Sequence, residues 1–482
     1  MSVLHADVVV IGNELCGSAA AALLALTRHK VVVIDDEDEG DARALGGVLL
    51  PTAPCLWRLP KKGPAVEIID ALGLRQDARR LLQEPVGIGI VDDPDVRMAL
   101  PLDDKEREKE LIRVFGDASA ADAFNAISYD VAVRYLSEAT RLHEDGFIAK
   151  RKEKRRLKEI LDAHDDDPAT IEVQAFTRGL KDEGLAQAFP FLAPFLQNHA
   201  SPRSQGVGGL LALARFHRGT LGDCDVGLGA REELRGLFRK VIEGHGGEVL
   251  LQTKVSELRV SGKKITHVGV GNNEYATKTI IDAGRGRSLP DHLPQSRIGD
   301  KERRLRDAVK STKNGVVVRW LLPKDALPAG VEKRMLLLPR EGMNDVSMVV
   351  SLHYQPPKLS SPTQHKIQRN DQVVGVVAAA RATNEPSHEV VDKMEARLEA
   401  LFPFAKKERI AQDTLLDDDA AIHFPAYEAE DGGTHVLAGR RPRGAFANIA
   451  RAGRDLVPLF GLGGELAAAR SVTSLVEDLL KK

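Results

Sequence analysis

The chain is short of several things. It has three cysteines in 482 residues, Cys16, Cys55 and Cys224. None forms a CxxC pair, so neither a zinc site nor a disulfide framework is indicated, and a reducing compartment such as the cytoplasm is the expectation. Formal net charge is only −2, which supplies no global field for nucleic acid or an anionic membrane. No apolar run approaches the ~20 residues needed to span a bilayer. Residues Met1 to Ile11 lack the basic region and cleavage site of a secretory signal. Aromatic residues make up 4%. No HExxH, no Ser-His-Asp order and no paired-carboxylate spacing stands out. Catalytic residues therefore stay unassigned, and no metal site is expected. His353 and His423 read as structural histidines.

What is present begins at once. Ala6 to Ile11 is a near-continuous apolar run ending at Gly12, the pattern of a strand buried on both faces. A small-residue helix follows from Gly17, and then a second buried strand that ends at Asp35. Strand, glycine turn, helix, strand and acid form a dinucleotide-binding βαβ unit. In such a unit the first glycine makes the tight turn, the second lets the backbone approach a pyrophosphate, and the third lets helix and strand pack closely. Here Gly12 and Gly17 hold the first and third places, and Glu14 holds the second.

Glu14 is the anomaly. It adds bulk where closest approach is needed, and a negative charge beside a dianionic group. At ~4 Å and an effective dielectric near 20, two unit charges repel by about 4 kcal/mol. The same carboxylate suits a phosphate-free site, because an acid near a helix N-terminus stabilises it by roughly 0.3–1 kcal/mol. Two readings stay open: Glu14 stands in for a missing phosphate, or the loop has shifted, Glu14 faces solvent and the cofactor still binds.

Further along, residues 64–84 read as helical, and the chain from about 102 to 200 reads mainly as charged helix. Lys150 to Lys158 is a basic run. It reads as a solvated helix face, with a protein partner or a membrane surface as the sharper alternative. Helix Arg231 to Glu243, strands from Glu248 to Ile281 and a mixed segment of about 300–430 follow. Thr434 to Ala438 reads as another buried strand, and a helix opens at Gly461-Leu-Gly463-Gly464.

Four segments together resemble the phytoene desaturase and amine oxidase branch of the FAD-dependent oxidoreductases. They are Asp7 to Gly12 continued to Asp35; Leu45-Gly46-Gly47; Val226-Gly-Leu-Gly229 through Val255 to Ala283; and Gly461 to Ala469. The resemblance implies an α/β fold: a Rossmann-like FAD-binding domain with an inserted α+β substrate domain and a helical insertion. It divides the chain into 1–100, 206–300 and 431–482 for the FAD-type domain, 101–205 for the helical insertion and 301–430 for the substrate domain. It implies cofactor contacts at Gly12, Glu14, Gly17, Asp35, Gly47, Val255, Gly461, Gly463, Gly464 and Glu465. Departures accompany it. Val48 stands where an arginine commonly follows the glycine pair, and Phe446 and Phe460 are the only aromatics near the last motif. An amine substrate is thereby disfavoured, and an apolar one, isoprenoid or lipid-like, fits better by analogy. The implied function is hydride transfer from such a substrate to FAD. The alternative is a pseudoenzyme that has lost FAD and binds a lipid or protein partner, as the Rab GDP-dissociation inhibitors do on a similar fold. Both place the protein in the cytoplasm, with peripheral membrane contact as one form of the second.

Overall fold

In the computed structural model, described residues fall mainly in runs 2–35, 42–54, 63–81, 88–92, 96–101, 103–116, 220–223, 230–284, 315–337, 346–355, 372–381, 385–416, 446–457 and 461–481. The basic run Lys150 to Lys158, the helical insertion beyond residue 118, Val226 to Gly229, His423 and the strand expected at Thr434 to Ala438 lie outside them.

The chain opens with β1 (Ser2–Ile11), α1 (Leu15–Leu26) and β2 (Val31–Ile34). β1 and β2 pair in parallel, Val8 opposite Val31 and Ile11 opposite Ile34. A parallel pair needs a crossover, and α1 supplies it. Almost all of α1 is buried, which its run of alanines permits: small side chains let the helix sit close to the sheet. Next come the hairpin β3 (Ala42–Leu45) and β4 (Val48–Pro51), then β5 (Arg58–Pro60). Gly46 and Gly47 make the two-residue hairpin turn, both with positive φ, as the tight primed turns demand.

The helical stretch expected over 64–84 is two helices, α2 (Pro64–Ala71) and α3 (Arg75–Leu81). Gly73 between them is left-handed at φ 71°, which ends the first helix. Then follow β6 (Ile88–Asp92), β7 (Val96–Leu100), α4 (Asp104–Phe115), β8 (Thr220–Asp223) and α5 (Ala230–Gly244). Strands β9 (Glu248–Leu250), β10 (Val255–Ser261), β11 (Lys264–Val270) and β12 (Asn273–Asp282) return toward β1. The rest comprises β13 (Val309–Ser311), β14 (Gly315–Pro323), β15 (Arg334–Leu337), β16 (Met348–Gln355), β17 (Val373–Arg381), α6 (Ser387–Leu401), α7 (Ala405–Glu408), β18 (Ala411–Leu416), β19 (Tyr427–Ala429), β20 (Ile449–Arg451) and α8 (Gly461–Leu480).

Two seven-stranded sheets organise these elements. The first runs β10-β11-β12-β1-β2-β9, with β20 parallel to β12 beyond that path. Its core is covered on one face by α1, α5 and α8, through residues such as Leu15, Phe238, Leu466 and Val472. The second runs β18-β14-β17-β16-β15-β6-β7. One face packs α6 through Val318, Trp320, Val350, Val376 and Met394. The other meets the β3–β4 hairpin through Leu45, Val48, Leu50, Leu321 and Val373. β6 pairs in parallel with β15, Gly89 opposite Met335. That pairing places residues 88–100 in the second sheet, whereas the sequence assigns them to the first unit. Their order is fixed by hydrogen bonds to a strand far along the chain, which no local pattern announces.

Candidate functional site

The site forms where β1, β2 and β12 end and where α1, α5 and α8 begin. Gly12 turns out of β1 at φ 90°. A Cβ there would collide with the carbonyl of Ala283, which follows β12, and a Cβ on Gly17 would collide with the methyl of Ala283. Both glycines thus do what their spacing predicts, and Glu14 N–H donates to the Ala283 carbonyl at 2.9 Å.

Glu14 is buried, not turned to solvent. It sits immediately before α1, but its carboxylate makes no cap hydrogen bond to that helix. It is held instead by two guanidiniums. Arg231 Nη2, from the first turn of α5, donates to Glu14 Oε2 at 2.7 Å. Arg454 Nε, from the segment after β20, donates to the same oxygen at 3.3 Å. Arg231 also grips Glu465 of α8 with both terminal nitrogens, Nη2 reaching Oε1 at 2.7 Å. Glu465 Oε1 in turn accepts the backbone N–H of Cys16, in the first turn of α1, at 3.4 Å. All four charged side chains are almost wholly removed from water.

Burial pushes the Glu465 carboxyl up to about 7; Arg231 opposes the rise, Glu14 adds to it and Arg454 opposes it. Burial likewise raises the Cys16 thiol well above its ordinary range, with the Glu465 charge adding to the effect. The thiolate needed for nucleophilic chemistry is thereby suppressed.

Asp35 lies at the end of β2, as the sequence predicts. Its carboxylate accepts Asn13 Nδ2 at 2.7 Å and is 3.5 Å from Arg239 Nη2 of α5. Asn13 also accepts Ser18 Oγ–H at 2.8 Å, and its carbonyl accepts Arg235 Nη1 at 3.2 Å. Thr253, just ahead of Val255, donates its N–H to the Asp35 carbonyl at 2.9 Å. Val255 itself starts β10 opposite Val270. Gly463 and Gly464 begin α8 beside Glu465, with Gly461 opening the helix. Gly47 has a different setting: its hairpin turn faces the second sheet, where a Cβ on Gly46 would lie 2.9 Å from Leu321 Cδ2. Arg319 of β14 braces the same hairpin, donating to the carbonyls of Arg43 and Leu50, both at 3.3 Å, while ion-paired to Asp413.

The sequence brings forward Glu14, Asp35 and Glu465 but not Arg231, Arg235, Arg239 or Arg454. The signal that could have found them is physical. A carboxylate at a buried turn demands a cation, and α5 carries Arg231, Arg235 and Arg239 on one face at helical spacing.

A cofactor pyrophosphate on this scaffold would lie at the N-terminus of α1, against the backbone of the glycine turn. The residues present do not fit it. The Glu14 carboxylate occupies the turn's cation partners, and the Cys16 N–H is directed at the Glu465 carboxylate. An incoming dianion would meet two carboxylates already seated. Among the described residues, no group of three or more His, Cys, Asp or Glu could hold a metal ion, and no helix is long and apolar enough to cross a membrane.

No family model and no curated protein matches the chain. Solved structures do. An oxidoreductase from Methanosarcina mazei superposes with a TM-score of 0.57 at 14% identity, over 98% of this chain and 100% of that one. Wild-type putrescine oxidase bound to putrescine gives 0.58 at 13% identity over 100% of both chains. Rab GDI from Plasmodium falciparum gives 0.54 at 12% identity over 97% of both. The fold is thus the Rossmann-like α/β fold of flavoprotein oxidoreductases along the whole chain. At this identity the likeness defines architecture and leaves the chemistry to the site.

Proposed function

We propose that this chain is a binding protein built on the flavin-oxidoreductase scaffold, in which the cofactor's pyrophosphate place is filled from within and no flavin chemistry is carried out. One observation carries this reading: the buried Glu14 carboxylate held by Arg231 and Arg454 at the start of α1. The ligand assigned to it is apolar, lipid-like or isoprenoid. The second sheet is apolar on its α6 face and mixed on the other, where Arg319, Ser351 and His353 stand among valines. α6 covers one, and the β3–β4 hairpin covers part of the other. By strand alternation, Val317, Val349, Val377 and Ala379 share the face turned away from α6, and all four are fully buried within the chain. Ser351 and His353 lie on the same face and are buried against each other, Ser351 Oγ 2.8 Å from His353 Nε2. The resemblance to Rab GDI in fold is an analogy that accords with a binding role.

The second reading is an FAD-dependent oxidoreductase acting on the same class of substrate. It is favoured by the retained Gly12, Gly17 and Asp35 and by the whole-chain likeness to oxidoreductases. It requires Glu14 to leave both arginines. Titrating the purified protein with FAD separates the two. Stoichiometric uptake with a shifted flavin spectrum would overturn the first reading, and absence of uptake supports it.

A further inference from the structure

We propose that Glu14 and Glu465 form a carboxyl–carboxylate pair that shares one proton, and that this pair is a proton-linked latch joining the starts of α1, α5 and α8. The inference rests on the reading that Glu14 sits in place of a pyrophosphate.

The geometry is specific. A single nitrogen, Arg231 Nη2, donates to Glu14 Oε2 and to Glu465 Oε1, each at 2.7 Å. Two carboxyl oxygens on one nitrogen are close neighbours, and two buried carboxylates at that separation cannot both ionise without a large mutual repulsion. The groups facing them can be counted by element. From the start of α1 come Glu14 and the Cys16 thiol. From α5 comes Arg231, while Arg235 is turned to Glu232 and to the Asn13 carbonyl. From the segment after β20 comes Arg454, while the charge of its neighbour Asp455 reaches the Cys16 thiol. From α8 comes Glu465. Glu465 thus shares Arg231 with Glu14, which also accepts from Arg454.

The same proton gives the latch its direction. Burial raises the Glu465 carboxyl above its ordinary 4.5 to about 7, so the folded chain retains a proton that the unfolded chain has lost. A raised folded value means the contribution is complete below about 4.5 and is lost as pH rises through about 7. Alkaline conditions ionise both acids and push apart the segments that they join, the first strand–helix unit and the C-terminal helix.

The test is urea unfolding of the full chain from about pH 5 to about pH 9, compared with Glu465→Gln and, separately, Glu14→Gln. An amide keeps the hydrogen-bond donor and cannot lose it. The wild type is expected to lose stability between about pH 4.5 and about pH 7, with a slope of up to about one proton that levels off above it, and either amide variant to flatten that slope. If one variant fails to fold, the other decides. Equal slopes in wild type and variant would overturn the proposal. FAD titration of the same samples keeps the two ideas apart. A chain that takes up FAD yet loses its slope in Glu465→Gln would overturn the binding-protein reading and leave the shared proton standing. A chain that refuses FAD and keeps its slope would do the reverse.

Discussion

The Glu14 carboxylate and the Arg231 guanidinium meet at 2.7 Å, with side chains only 4% and 1% exposed. Such a pair contributes little net stability over an apolar substitute, but removing one partner strands the other charge in a dry place at a cost of about 3–5 kcal/mol. Arg231 serves two carboxylates at once, so it is the more damaging loss. Arg231→Met is predicted to lower stability by about 3–5 kcal/mol at neutral pH and by less in acid, where a second proton relieves the stranded carboxylates. Urea midpoints at the two pH values check this.

Glu14→Gly restores the ordinary spacing of the turn and removes the competing charge. This variant is predicted to be less stable than wild type without ligand, because Arg454 loses the carboxylate it donates to. Added FAD is predicted to raise its melting temperature in a concentration-dependent way, since any ligand that binds only the folded state does so. Differential scanning fluorimetry with and without FAD reads the effect. A variant that gains nothing from FAD would mean that Glu14 was not the obstacle.

Gly17 tests the packing of α1 against the sheet. A Cβ there would overlap the methyl of Ala283. Gly17→Ala is predicted to destabilise by about 1–3 kcal/mol, the usual range for overpacking, and Ala283→Gly in the same chain to restore most of it. A double-mutant cycle in denaturant measures the coupling.

Arg319 joins the second sheet to the β3–β4 hairpin. It is fully buried, pairs with Asp413 through two nitrogens and donates to hairpin carbonyls. A lysine cannot reproduce that fork. Arg319→Lys is predicted to cost about 1–3 kcal/mol and to loosen the hairpin first. Hydrogen exchange at Ala42–Leu45 and Val48–Pro51 is the measurement.

Asp282 adds a second acid-linked contribution. Burial raises it to about 6; the Leu289 N–H and Arg451 oppose the rise. The contribution is therefore complete below about 4 and lost as pH climbs through about 6. Asp282→Asn is predicted to reduce the slope between about pH 4 and about pH 6 while leaving the loss between about pH 6 and about pH 7 in place.

Much of the first sheet was legible because its signals are local. The apolar run into Gly12, the alanine helix, the strand ending at Asp35 and the helix opening at Gly461 all reappear where the residues imply. Glu14 was legible as an anomaly, because one turn position tolerates no side chain beside a pyrophosphate. Its partners were not, because Arg231 lies 217 residues away and Arg454 lies 440 away. Gly47 was legible as one of a glycine pair, but its hairpin turn against the second sheet was not. The Gly46–Gly47 pair resembles a cofactor motif, and in the fold it makes a hairpin turn against Leu321. A glycine pair reports backbone conformation, and several conformations share that need.

On our proposal, the scaffold of a flavin oxidoreductase persists here with its pyrophosphate place filled by Glu14. The deciding measurement is the absorbance of the freshly purified chain between about 350 and about 500 nm, before and after incubation with excess FAD and desalting, because a flavin retained by the protein brings its own chromophore. No flavin band is expected in either sample. A stoichiometric band in either one, from a wild-type chain with Glu14 intact, would contradict it.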